Sequence, residues 1–150
     1  MGFSPLGLLV SLAVLALNLL LITFPPRTPL PRIAPPKTLS LLERAGEALC
    51  LVVPAVTLPG ELAAGWLAPL LLALAGYYAL WIRYLATGRD AAALYHQWWV
   101  VPVPMAILPV TAFLAAAGWL GNPWIAAAAG VLAAGHIPVS LLAARSLHDA

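Results

Sequence analysis

Between residues 38 and 54 the chain reads TLSLLERAGEALCLVVP, and only here do ionised side chains run into an apolar span. Glu43, Arg44 and Glu47 fall in the first turns of a helix that continues as Leu49-Cys50-Leu51-Val52-Val53. In lipid, a charge at a helix centre costs roughly 2.5–3.5 kcal/mol on insertion scales, so such residues turn toward protein or water. Other helices must therefore pack around this one. Ser40-x-x-Glu43 reads as a capping box that starts the helix. Pro54 is expected to kink it, and Thr57-Leu58-Pro59-Gly60-Glu61 to end it in a tight turn.

Lipid is invoked because water is excluded by composition. Of the 150 residues 63% are hydrophobic and 8% charged, against about 25% charged in a soluble domain. Mean hydropathy is +0.99. Too few charges are present to coat a water-soluble globule of this size. Residues 2–24 hold no charge and are long enough to cross a bilayer. The opening Met-Gly-Phe-Ser-Pro lacks a basic residue, so a retained helix is expected in place of a signal peptide. Residues 25–37, PPRTPLPRIAPPK, form a proline-rich strap.

The remaining spans follow. Trp66 marks one membrane interface, and Tyr77, Tyr78, Trp81 and Tyr84 gather toward the other as an aromatic belt. Residues 91–98 are expected to form a short interfacial helix, anchored by His96, Gln97, Trp98 and Trp99. Pro102, Pro104 and Pro109 make the first half of the next span irregular. Ala126, Gly130 and Ala134 stand at four-residue spacing, a small-residue face for close helix packing. The fold class expected is all-α: one polytopic domain over residues 1–150, a five-transmembrane-helix bundle. Its spans lie at about 4–24, 41–58, 62–85, 99–120 and 124–144, with the strap in a first loop, 25–39.

Orientation follows from counting. Arg27, Arg32, Lys37 and Arg44 lie around the first loop, Arg83 and Arg89 around the third, and Arg145 near the end. All seven basic residues thus share one side, which the positive-inside rule makes cytoplasmic. The N-terminus is expected outside and the C-terminus inside, in the cytoplasmic (inner) membrane.

That topology sets depths, at about 1.5 Å of rise per residue. Glu47 would lie roughly 10 Å in from the cytoplasmic end, His136 roughly 13 Å and Asn18 roughly 9 Å. A carboxylate, an imidazole and an amide from three helices therefore share one slab. Glu43 shares a helical face with Glu47, and Ser140 with His136, because residues four apart are neighbours. Glu43 and Arg83 are placed at the mouth of the resulting pocket. The ligand-binding set is Glu47, His136, Asn18, Glu43, Ser140 and Arg83.

Other chemistry lacks its residues. No HExxH, CxxC, phosphate loop or nucleophile elbow occurs, so no catalytic residues are assigned and an enzyme is not favoured. His96, His136 and His148 do not converge by spacing, so neither a metal site nor a cofactor is expected. Cys50 reads as a small buried hydrophobe. The scattered basic residues exclude a nucleic-acid surface.

Three resemblances bear on the reading. Five short spans in about 150 residues resemble the translocator-protein family in size and span number. Gly135-His136-Ile137-Pro138-Val139-Ser140 is similar to the Arg-His-Pro-x-Tyr motif of isoprenylcysteine-type membrane methyltransferases, but lacks its arginine and tyrosine and splits its His-Pro pair. Trp81-Ile82-Arg83-Tyr84, Pro102-Val103-Pro104-Met105 and Gly135-His136-Ile137 together look like small bacterial multi-pass membrane proteins, which implies a membrane bundle and no particular activity. The function expected is small-molecule or lipid binding, or a transport-related role, through a cytoplasm-facing polar pocket. The alternative is a non-catalytic accessory subunit of a larger membrane complex. Partners are membrane lipids, a small ligand, and a membrane-protein partner or second copy.

Overall fold

The computed structural model describes residues 2–98 and 100–148. The described residues build an all-helical bundle, with an isolated Trp98–Val101 bridge and no strand. Helix α1 (Pro5–Leu15) runs on through a 3-10 turn (Ala16–Leu19) into the short α2 (Leu20–Thr23). Its start is written locally. The Ser4 hydroxyl accepts from the Gly7 amide at 3.1 Å, and Pro5 stands where a free N–H would be lost anyway.

Helix α3 (Lys37–Val56) lies antiparallel to α1. Gly2 and Ser4 amides donate to the Val56 and Ala55 carbonyls at 3.0 and 2.8 Å. A Cβ on Gly7 would strike the Pro54 carbonyl, so this crossing admits only glycine. The proline itself explains a second contact. Pro54 has no N–H to give to Cys50 four residues back, and the Ser11 hydroxyl donates to that carbonyl at 2.8 Å. Ser11→Ala is therefore expected to cost about 1–3 kcal/mol. In a Pro54→Ala background the same change should cost much less, since position 54 then supplies the missing amide. A double-mutant cycle of unfolding in detergent reads the coupling, and strict additivity would refute it.

The capping box is overturned. α3 starts at Lys37, three residues before Ser40, and Pro36 at its N-cap offers no side-chain bond. Pro36 holds extended backbone (φ −51°, ψ 139°) and its carbonyl takes the Leu39 and Ser40 amides, while Glu43 is drawn to another helix.

Helix α4 (Leu67–Ala86) follows a 3-10 turn, Ala64–Trp66. The expected aromatic belt is corrected here. Tyr77, Trp81 and Tyr84 are buried, at 2%, 3% and 0% exposure, and stack edge to face. Positions i, i+4 and i+7 share one helical face, and that face meets the core.

Helix α5 (Ala92–Tyr95) is shorter than the expected 91–98 because the chain turns extended at His96. Trp99, the expected start of the fourth span, lies outside the described residues. Helix α6 (Pro104–Trp119) begins with Pro104 in its first turn and keeps Pro109 inside it, so the irregular stretch is confined to the residues before it. Val103 there takes a left-handed conformation (φ 41°), unfavourable for a β-branched residue. Helix α7 (Pro123–His148) starts at Asn122, whose side-chain oxygen accepts from the Trp124 amide at 3.1 Å.

The deepest packing is α3 on α7. A Cβ on Gly46 would run into the Leu132 backbone, and one on Gly135 into the Glu43 backbone. The face of Ala126, Gly130 and Ala134 does not make this crossing. Gly130 has open space around it, and Gly130 and Ala134 are exposed. Small residues mark close packing, but Gly135 sits about 100° round the helix from Ala134, and it is Gly135 that touches α3. Cys50 is fully buried, as its apolar surroundings require.

Loops gather at two ends. At one, Gly60 and Ala63 amides donate to Leu120 and Trp119 carbonyls at 2.8 and 2.9 Å, and the Asn122 side chain donates to Thr57 at 2.7 Å. At the other, the strap is tied to the α4–α5 loop. Arg27 donates to the Arg89 carbonyl at 2.9 Å, the Tyr84 hydroxyl to Phe24 at 2.9 Å, and the Thr28 hydroxyl to Asp90 at 2.7 Å. The Thr28 bond, with the Ala92 amide, holds the Asp90 carboxyl below its ordinary range.

Pro5–Thr23, Ala64–Ala86 and Pro123–Leu147 are long and apolar enough to cross a membrane by length and composition. Large side chains such as Ile22, Leu72 and Ile82 point outward. Apolar surface on that scale marks the bundle of a membrane protein.

Candidate functional site

The site is built where α3 and α7 touch. Gly135 brings the α7 backbone onto Leu42 and Glu43, and the next residue, His136, reaches across. Its Nδ1 lies 2.8 Å from Glu43 Oε1, with the two side chains 26% and 22% exposed. With the carboxylate ionised, Nδ1–H is the donor. The sequence placed Glu47 opposite His136 and Glu43 at the mouth; the pair formed is Glu43–His136. Glu47 is one turn further along α3, exposed, and beside a groove lined by Leu15, Asn18, Arg44, Ala48 and Leu51. The ligand atoms of Glu43, Glu47 and His136 nevertheless all lie within 4.8 Å of one another.

Four of the six expected residues, Asn18, Glu43, His136 and Ser140, line one cavity of about 160 Å³. Engineered cavities of about this size hold a benzene-sized guest. Asn18 stands in the 3-10 turn after α1 and accepts from the Tyr77 hydroxyl at 2.9 Å. It also lines the groove beside Glu47, so the two spaces share it. Arg83 is not brought in. It sits in the last turn of α4, about 200° round the helix from Trp81.

Two wall residues were missed by the sequence reading, Tyr77 and Trp81. Both are buried against the cavity. The Trp81 indole nitrogen meets hydrogen-bond geometry with no group, the neighbouring Tyr77 hydroxyl included. Their i, i+4 spacing was the available signal, read as an interface anchor because the helix end was near. Tyr95, in α5, closes the wall from outside the long helices. Burial first, and then the Glu43 carboxylate, push its phenol above the ordinary value.

Leu21, Leu94 and Met105 complete an apolar lining. The chamber is thus greasy, with the hydrogen-bonded Glu43–His136 pair on one side, an amide and a hydroxyl nearby, and an indole N–H that completes no hydrogen bond among the described residues. Such a mixture suits an amphipathic guest: apolar walls supply burial, and a few placed polar groups fix its orientation. No family model, curated protein or solved structure matches this chain.

Proposed function

We propose that this chain is a five-span protein of the cytoplasmic (inner) membrane that binds a small molecule or lipid group in a cytoplasm-facing cavity, in a binding or transport-related role. The observation that carries the reading is the convergence of Asn18, Glu43, His136 and Ser140, from three separate helical segments, on one cavity. Intramembrane ionisable residues are functional candidates by default.

Five spans are supported by α3, whose 20 residues reach about 30 Å, and whose Glu43 turns toward α7 and the cavity. The orientation, N-terminus out and C-terminus in, is supported by the loops. Arg27 and Arg89 are tied together at the strap end, while the loops at the opposite end carry no basic residue.

The test is native mass spectrometry of the protein released from lipid nanodiscs, wild type beside His136→Ala and Glu43→Gln. Wild type is expected to keep a specific small molecule or lipid. Each variant should hold it roughly tenfold less well, the loss of one charged hydrogen bond. Equal retention by all three, or bulk lipid alone, would retire the cavity reading. A second reading, an accessory subunit, is favoured by the exposed Gly130 and Ala134, with open space beside Gly130 among the described residues. A polypeptide that stays bound whatever the cavity variant would support it.

A further inference from the structure

Glu43 and His136 on the cavity wall, with Glu47 in the adjoining groove, make a coordination set that histidine spacing alone did not reveal. Glu43, Glu47 and His136 each offer one ligand atom, all within 4.8 Å of one another. Their helices are held backbone to backbone at Gly46 and Gly135, so the two backbones that carry the set are fixed before any guest arrives. Around a tetrahedral zinc ion, donors stand about 3.4 Å apart, given bond lengths of 2.0–2.2 Å. To reach that spacing the Glu43–His136 pair, at 2.8 Å, must open slightly and the exposed Glu47 side chain must turn toward it.

A separate observation points to a guest at the same place. Trp81 is 3% exposed and lines the same cavity as Glu43 and His136, and its indole N–H, which the Tyr77 hydroxyl feels electrostatically, completes no hydrogen bond among the described residues. Buried donors are nearly always satisfied. An oxygen carried into the cavity on a bound cation is an acceptor of the kind it lacks.

We propose that Glu43, Glu47 and His136 bind a divalent transition-metal cation of the zinc class. The assignment rests on the cavity reading, which it deepens by naming the guest's chemistry. Two carboxylate oxygens and one imidazole nitrogen suit zinc, iron or manganese better than calcium or magnesium, which take oxygen alone, or copper(I), which takes sulfur. Three protein ligands leave a coordination position for water or a solute oxygen. Without the cation, His136 and Arg44 are the basic neighbours of Glu47. Glu47 also lines the groove that shares Asn18 with the cavity, and that groove gives the ion a polar approach.

Nanodisc-embedded protein stripped with a chelator and dialysed against zinc would be assayed for bound metal by plasma mass spectrometry. Affinity would be read by competition with a chromophoric chelator. One zinc per chain is expected. Glu47→Gln should weaken it roughly 10–100-fold, while Trp81→Phe keeps the stoichiometry. No retained zinc, or a Glu47→Gln variant that binds as wild type does, would overturn the assignment. An organic guest found by native mass spectrometry in zinc-free protein would leave the cavity reading standing while the metal failed.

Discussion

Gly135→Leu is expected to abolish the folded bundle. A Cβ at this position already meets the Glu43 backbone and comes within 2.7 Å of the Leu42 carbonyl carbon, and backbone atoms cannot swing aside as a side chain can. α3 and α7 must then separate, which also breaks the His136–Glu43 bond. Overpacking in a well-packed core costs about 1–3 kcal/mol, occasionally more, and a crossing with no room for one carbon belongs at the upper end. Gly46→Ala should act in the same direction through the Leu132 backbone. Size-exclusion profiles and thermal unfolding in detergent would show it, with Gly130→Ala as the silent control because Gly130 has open space around it. A Gly135→Leu variant that is monodisperse and melts like wild type would refute the close crossing.

The second large effect concerns charge. Removing one member of a buried ion pair costs about 3–5 kcal/mol, because the partner is left desolvated and uncompensated. The Glu43 and His136 side chains keep about a quarter of their surface exposed, so about 2 kcal/mol is the better expectation for His136→Ala. The double variant Glu43→Gln with His136→Ala should be more stable than His136→Ala alone, since no charge is then stranded. Resistance to unfolding by dodecyl sulfate, measured for both singles and the double, gives the coupling. A double variant less stable than both singles would mean that the two residues act separately.

These residues also show how much a sequence of this kind discloses. The uncharged run of residues 2–24 and the long apolar stretch that becomes α7 were legible because length and lack of charge alone decide a helix of that type. The polar set was legible for the converse reason: Asn18, Glu43, Glu47, His136 and Ser140 stand out in apolar text. Register was not legible. Taking Ser40 as the cap, where Pro36 in fact caps α3, misplaces the helix start by four residues. That is close to one turn and close to the spacing between Glu43 and Glu47, and the wrong carboxylate was set against His136. Nor was the crossing legible. Glycines at 46 and 135 and a small-residue face at 126, 130 and 134 look alike on paper, and only the packed helices separate the contact from the free surface. For Tyr77 and Trp81, the competing readings were belt and core. Both require aromatic residues near a helix end, so composition could not decide between them.

The α3–α7 crossing also bears on how the chain is made. In the five-span arrangement, α3 is the span least able to stay in lipid alone, because Glu43, Arg44 and Glu47 lie in its first half. The helix that shelters Glu43 is synthesised well after α3, 93 residues later for the Glu43–His136 bond. Through most of translation α3 therefore has no shield for that carboxylate. It must wait at the membrane surface, or be held by the insertion machinery, until α7 emerges. Assembly of this pair then waits on α7, and any chain that stops before residue 136 leaves α3 without the partner for Glu43.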